Sequence, residues 1–507
     1  MCMVRCMRRF SVQKSVETTE NSTNRDAPRK ISMPDPSALK FRKMSIDQKN
    51  GMPVEINNNN IRKESLKSIS VKEPQITEKE YDPYDHRDVK HSNSFAGTLT
   101  HLLKGSMGTG ILAMPYAFSN AGYILGTFGT IFMGALCTYA IHILISSAYE
   151  LCKRTKVPSM SYPETARAAL AHGPKQFRSL SKYAPHACNV MLVSFLVGSA
   201  GIYIVFISSN LKDVIDHYQD PKDQWELRWY CLIILGPLIL LNLIRRFKYL
   251  VPLSLLATVL TSISFVIVFY YVFSDIPDLS KRTPIAPVGK IPLFLATVIF
   301  AMEAIGVVLP LENEMKNPKQ FNSLFGVLNC AMLPITFLYT SLGLLGYLKY
   351  GDDVKGSITL SLPDDEKLAQ SVRVMLSIAI FFTHALCITP ATATVFEEYV
   401  KPRVSKRLVL WEYITRVTLV LVAFVMAICV PYLDLFISLI GALCISMLGM
   451  LFPAIIQTCT FWHDYSGFSF TVFCLKNLTL ALVAGYGLVF GVKITVEEMV
   501  LRFTQGE

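Results

Sequence analysis

His101 stands one helical turn ahead of a run that reads Gly105-Ser106-Met107-Gly108-Thr109-Gly110. Glycine weakens a helix by up to about 1 kcal/mol relative to alanine, so three in six residues favour an unwound backbone. Unwinding frees N–H groups, and the positive end of the half-helix that follows adds to them, which is an arrangement that receives a carboxylate. An imidazole beside such a break suits proton exchange near neutral pH; it can equally be a helix histidine bonded to a neighbour. A second interruption is expected at Phe300-Ala301-Met302-Glu303-Ala304-Ile305-Gly306, with Pro310 and Glu312-Asn313 following. Carbonyls released between Phe300 and Ala304 would meet an ammonium group. Glu303 lies inside an apolar run, where a charge costs about 2.5–3.5 kcal/mol on insertion scales and marks a functional site by default. Its carboxyl can carry a proton, hold a substrate ammonium or bond between helices. Lys104 can reach Glu303 or extend to the membrane interface. His142 and His384 are lone helix histidines, read as packing residues. No P-loop occurs.

These residues need a membrane to position them. Of 507 residues, 51% are hydrophobic and 17% charged, well below the roughly 25% charge of soluble domains. Residues 1–92 hold 18 Lys/Arg and 13 Asp/Glu, which leaves 31 basic and 25 acidic residues for the other 415. A soluble enzyme or nucleic-acid-binding domain is excluded by that distribution, and no cofactor or metal is implied. No CxxC pair occurs among twelve cysteines, and Cys137, Cys330, Cys387, Cys444 and Cys474 lie in or beside apolar runs, as small buried hydrophobes do.

Apolar runs long enough to cross a hydrocarbon core of about 30 Å follow from Ser94 onward. About eleven are expected, near 95–118, 122–149, 184–211, 229–247, 250–274, 290–311, 323–349, 370–396, 409–430, 433–457 and 473–493. Basic residues cluster between spans two and three, four and five, and eight and nine, which makes those loops cytoplasmic by the positive-inside rule. The loops at 212–228 and 350–369 are acidic on balance. The amino terminus is then inside and the carboxyl terminus outside. Spans one and six, which carry the interruptions, are five apart, as an inverted five-plus-five repeat requires; the bland reading is that their glycines only let helices pack closely.

Residues 1–92 show no sustained period, include Asn57 to Asn60, and read as a disordered cytoplasmic tail. Ser11, Ser32, Ser45 and Ser65 each follow paired basic residues closely, a pattern that basophilic kinases read electrostatically. The expected organisation is therefore a tail over 1–92 and a membrane domain over 93–500. The first repeat covers about 95–274, the second about 290–457, an extra helix about 473–493, and 501–507 form a short non-cytoplasmic end.

The stretch His101 to Pro115, the stretch Met302 to Lys316, and Gly356-Ser357-Ile358-Thr359-Leu360 resemble the proton-coupled amino acid transporters of the amino acid/auxin permease superfamily, most of all their insect branch. The resemblance runs from about Ser94 to the last span. It implies an all-α membrane fold of eleven helices with a sodium-symporter-like five-plus-five core. It also implies proton-coupled symport of small neutral amino acids such as glycine, alanine and proline, with no enzymatic step. Substrate would meet Gly105, Ser106, Gly108, Thr109, Gly110, Phe300, Ala301, Glu303 and Ala304, and the proton would ride on His101 or Glu303. His101 occupies the position of a family histidine implicated in coupling. The membrane would be the plasma membrane or an endolysosomal one. An amino acid sensor of the same fold is the alternative. Two departures stand out: the loops at 212–228 and 350–369 lack the cysteine pair of mammalian relatives, and span eight carries His384 and Cys387-Ile388-Thr389-Pro390 where more aromatic residues are expected.

Overall fold

The computed structural model describes residues 81–87, 92–106, 108–245, 247–274, 276–302 and 304–505. Apolar runs of this length close into helices because a backbone amide deprived of water must find its partner within its own segment. Among the described residues nine helices are long and apolar enough to cross a membrane. The shorter helix Leu227–Asn242 and a broken helix at 95–119 bring the series to eleven. No strand forms among the described residues; one isolated bridge joins Asn93 to Met315.

Span one comprises Phe95–Ser106, Thr109–Leu112 and Met114–Ser119. Span two is Tyr123–Thr155, span three Ala184–Asp216, span four Leu227–Asn242 and span five Phe247–Phe273. Span six is split into Ile291–Ala301 and Ile305–Asn313. Span seven is Val327–Tyr350, span eight Lys367–Val395 and span nine Leu408–Cys429. Span ten is Leu433–Thr460 and span eleven Gly467–Gln505. The all-α class read from the sequence holds, and the two interrupted helices are five apart.

Four differences from expectation have local causes. Asp82–Arg87 is structured although the whole of 1–92 reads as tail: Asp82 accepts the Tyr84 amide at 3.0 Å and caps a short helix at Pro83–His86. Span four stops at Asn242, leaving the basic residues that follow it outside the helix. Span eleven continues to Gln505, so residues 501–505 extend that helix. Span ten opens into a π-helix over Gly441–Leu451, a geometry that is rare and concentrates at functional sites.

The turn into span two depends on Gly122, whose φ is +83° and whose absent Cβ leaves room for the Pro284 carbonyl. Between spans two and three, Ser161 and Glu164 form a capping box at the start of Tyr162–His172. The Tyr162 hydroxyl then donates to the Leu448 carbonyl of the π segment at 2.6 Å. One contiguous apolar core draws buried residues from all eleven spans.

Candidate functional site

Both interruptions foreseen from the glycines and from the 300–306 segment are present. Span one halts at Ser106, passes through extended backbone at Gly108 (φ −115°, ψ −158°) and restarts at Thr109. Span six halts at Ala301 and restarts at Ile305, with Ala304 at φ −134° and ψ −3°. The two run antiparallel in contact. A Cβ on Gly110 would lie 2.6 Å from the Ala301 Cα, and one on Gly105 would lie 3.9 Å from Val307 Cγ2. Advancing along one helix means retreating along the other, so Gly108 lies between these two contacts. Among the described residues a Cβ on Gly108 meets nothing within 4 Å. Two glycines of one motif therefore do different work: Gly110 lets backbones touch, and Gly108 borders open space.

The break in span one is stitched from a helix the sequence did not single out. The Ser106 carbonyl, released by the interruption, accepts the Gly108 N–H at 3.0 Å and the hydroxyl of Tyr339 on span seven. The Ser106 hydroxyl donates back to the Leu102 carbonyl at 3.1 Å. Tyr339 is fully buried; its signal in sequence was only a tyrosine within an apolar run. Thr109, Gly110 and Ala304 are buried. The Phe300 ring meets Phe195 of span three edge-on with centroids 6.3 Å apart. Beside the span-six break lies a cavity of about 10 Å³, lined by Ile141, Ile299, Met302, Ala304, Ile445 and Met450 among others. That is about the space of one water.

His101 is half-buried, one turn before Lys104, and has no hydrogen-bond partner among the described residues. The Lys104 ammonium donates to the Ser254 hydroxyl at 2.9 Å and the Ser254 carbonyl at 3.3 Å on span five. Glu303 lies outside the described residues, as do Met107, Ser11, Ser32, Ser45 and Ser65. His384 is wholly buried with Nδ1 at 3.1 Å from Asn242 Nδ2, while its Nε2 has no hydrogen-bond partner. It is packed, yet only half satisfied. His142 holds Asn322 and Asn329.

The end of span six is tied to the segment before span one. Arg87 and Glu312 pair at 3.0 Å with only 7% and 3% of their side chains exposed. Arg87 Nε also donates to the Pro158 carbonyl at 2.8 Å, and its guanidinium lies 4.7 Å from the centroid of the Tyr84 ring. Burial and the neighbouring Glu312 carboxylate push the Tyr84 phenol well up, so it stays neutral. Tyr84 lies against Tyr149 of span two at 4.7 Å, and Lys319 pairs with Asp82 at 2.8 Å. Backbone bonds Asn93 N–H to Glu314 (2.9 Å) and Lys316 N–H to Asn93 (3.0 Å) complete the closure. This face of the bundle is shut by a buried ion pair whose halves come from opposite sides of the two broken helices.

Residues 91–496 match the sequence profile of the family described as transmembrane amino acid transporter protein. The chain is 38% identical over 429 residues to the proton-coupled amino acid transporter-like protein pathetic of Drosophila melanogaster, covering 84% of this chain and 90% of that one. It is 25% identical over 418 residues to the probable amino acid transporter skat-1 of Caenorhabditis elegans, covering 80% and 90%. Among solved structures, Mhp1, a nucleobase-cation-symport-1 family transporter in a closed conformation with bromovinylhydantoin bound, aligns at 13% identity. Its TM-score is 0.45, over 83% of this chain and 95% of that one.

Proposed function

The chain belongs to the transmembrane amino acid transporter family, and from that premise we propose that it carries small neutral amino acids, of the glycine, alanine or proline type, across a membrane together with a proton. The observation that carries this reading is the antiparallel pairing of two interrupted helices, with Gly110 against Ala301 and, among the described residues, nothing within 4 Å of a Cβ on Gly108. In this reading the substrate carboxylate approaches backbone amides between Gly105 and Gly110. Its ammonium takes carbonyls released between Phe300 and Ala304, with Glu303 as a further partner. Ser106 and Thr109 line the same turn. The proton rides on His101 or Glu303; a half-buried imidazole with no hydrogen-bond partner among the described residues is free to take one.

Separating Arg87 from Glu312 would open the closed face and let the two breaks be reached from that side. By the basic loops, that face is cytoplasmic, with the tail serines exposed there to kinases. The membrane is the plasma membrane or an endolysosomal one. One inward proton contributes about 2.3 kcal/mol per 100 mV and about 1.4 kcal/mol per pH unit, which supports tenfold or greater accumulation.

Counterflow of labelled glycine, alanine and proline in proteoliposomes, at two pH values, tests the reading. Exchange together with accumulation driven by an inward proton gradient is expected. Saturable binding without counterflow would overturn it in favour of a sensor of the same fold.

A further inference from the structure

His142 of span two faces the turn that follows span six and the start of span seven. Its Nδ1 meets Oδ1 of Asn322, and its Nε2 meets Oδ1 of Asn329 at 2.8 Å. A neutral imidazole has one N–H and one lone pair, so between two carbonyl oxygens one contact would set lone pair against lone pair. The other bonds of each amide decide which of them can turn. Asn329 Nδ2 donates to the Leu324 carbonyl at 2.9 Å and the Ser323 carbonyl at 3.4 Å. Reversing it would place its oxygen against both, so Asn329 is fixed. Asn322 Nδ2 donates to the Ser146 hydroxyl at 3.0 Å and the His142 carbonyl at 3.4 Å. A hydroxyl serves as donor or acceptor, so this amide turns by giving up only its longer bond, the 3.4 Å contact to the His142 carbonyl.

The geometry points to His142 as a proton-binding site in its own right, with Asn329 as its fixed acceptor and Asn322 as an amide that reverses when the proton leaves. In the bound state both ring nitrogens carry hydrogen and each donates to an asparagine oxygen. When Nδ1 releases its proton to water, Asn322 turns, its NH2 donates to Nδ1, and the Ser146 hydroxyl donates to the freed Oδ1. One proton is exchanged with solvent, and no covalent bond besides that N–H changes.

No charged group competes for the ring among the described residues. Tyr139, one turn away on span two, lies under Lys476 of span eleven at 5.2 Å. Cys330 is the neighbouring titratable group on span seven and is exposed. Tyr149, which reaches Asp82 of the Asp82–Lys319 pair, and Glu150, which pairs with Arg154, lie about 10 and 12 Å along the helix. Glu312 is taken by Arg87. Asn322 belongs to the connection leaving the second half of span six, and Asn329 opens span seven. Protonation therefore reverses the hydrogen bond between span two and the loop that a moving span six would drag, on the face that Arg87 and Glu312 close. Only this last step, the link to transport, rests on the symport reading.

The test is nitrogen NMR of the full-length protein with ¹⁵N-labelled histidine, in lipid, from about pH 5 to pH 8. One imidazole, absent from His142→Gln, is expected to show both nitrogens protonated at low pH and to titrate. Asn322→Asp places a carboxylate on Nδ1 and is expected to raise that midpoint by about one pH unit or more, a tenfold gain in proton affinity. Should His142→Gln fail to fold, the Asn322→Asp shift alone identifies the resonance. A His142 that stays a single neutral tautomer throughout, or a midpoint unmoved by Asn322→Asp, overturns the inference. Failure of proton-driven accumulation in the unmutated protein would overturn the symport reading and leave the titration standing; an active symporter with a neutral His142 would overturn this site alone.

Discussion

Gly110 stands so close to Ala301 that a Cβ placed on it would lie 2.6 Å from the Ala301 Cα, whereas one placed on Gly108 would meet nothing within 4 Å among the described residues. The clash at Gly110 is with backbone, which cannot swing aside as the tip of a side chain can. Gly110→Ala is therefore expected to destabilise the bundle by about 1–3 kcal/mol, seen as a lower melting temperature in detergent. Gly108→Val is expected to melt normally and to lose amino acid binding, because it fills the space beside the interrupted turn. A Gly108→Val protein with unchanged affinity would count against a carboxylate site there. So would equal affinity for an amino acid and its decarboxylated amine.

His101→Ala is expected to leave a folded protein that still performs counterflow but no longer accumulates substrate up a proton gradient. The accumulation ratio, roughly tenfold per pH unit in a tightly coupled carrier, should fall to about one. Undiminished pH-driven uptake would remove His101 from the proton path and leave Glu303 as the candidate.

Arg87→Ala strands a carboxylate that is 3% exposed. Losing one member of a buried pair costs about 3–5 kcal/mol, chiefly because the other charge is left uncompensated. The double variant Arg87→Ala/Glu312→Gln is accordingly expected to melt at a higher temperature than Arg87→Ala. In Arg87→Ala, a cysteine introduced at Ser92 should react faster with a soluble thiol reagent than in the parent. Equal melting of single and double variants would show that the pair does not close this face.

Deleting residues 1–80 is expected to leave melting and counterflow unchanged, because Asp82 to Arg87 remain to cap the bundle. Deleting 1–91 removes Arg87 and should reproduce the loss seen in Arg87→Ala. Two truncations of equal stability would mean that the short helix at Pro83–His86 contributes nothing to the fold.

Asp82 supplies a pH test outside the spans. Partial burial pushes its carboxyl up, but the hydrogen bonds from Lys319 and the Tyr84 amide outweigh it and hold it below the ordinary range. A folded value below the unfolded one gives stability that is complete above the ordinary aspartate pKa near 3.9 and is lost as pH falls through the folded value. The gap in melting temperature between the parent and Asp82→Asn should be constant from neutrality to about pH 4 and narrow below it. Lys319 is largely exposed, so added salt should shrink the gap at every pH. A gap that widens toward acid would reverse the assignment.

The helices and both interruptions were legible because they are written locally, in runs of apolar residues and in closely spaced glycines. What sequence did not disclose are partnerships across the chain: Tyr339 reaches Ser106 over 233 positions, Arg87 reaches Glu312 over 225, and Lys104 reaches Ser254 over 150. Each is set by which helices become neighbours, and periodicity carries no trace of that. Glu312 was noticed at the end of span six, but its cation lay in a stretch whose composition reads as tail. For His142, read as a satisfied packing residue, the two amides that satisfy its ring belong to a turn and to another helix, beyond the reach of periodicity.

The π-helix at Gly441–Leu451 bonds each amide one residue further back than an α-helix does, as in the bond from Phe452 N–H to the Met447 carbonyl. Such a run holds slack: its amides can pass, one after another, from one set of carbonyls to the adjacent set without any being left alone. Each such exchange would move the following segment by about one residue's rise, 1.5 Å. Ile445 and Met450 line the cavity beside the span-six break. The slack of span ten therefore borders that cavity directly, while the other end of the span is held where Asp434 pairs with Arg502 at 2.9 Å.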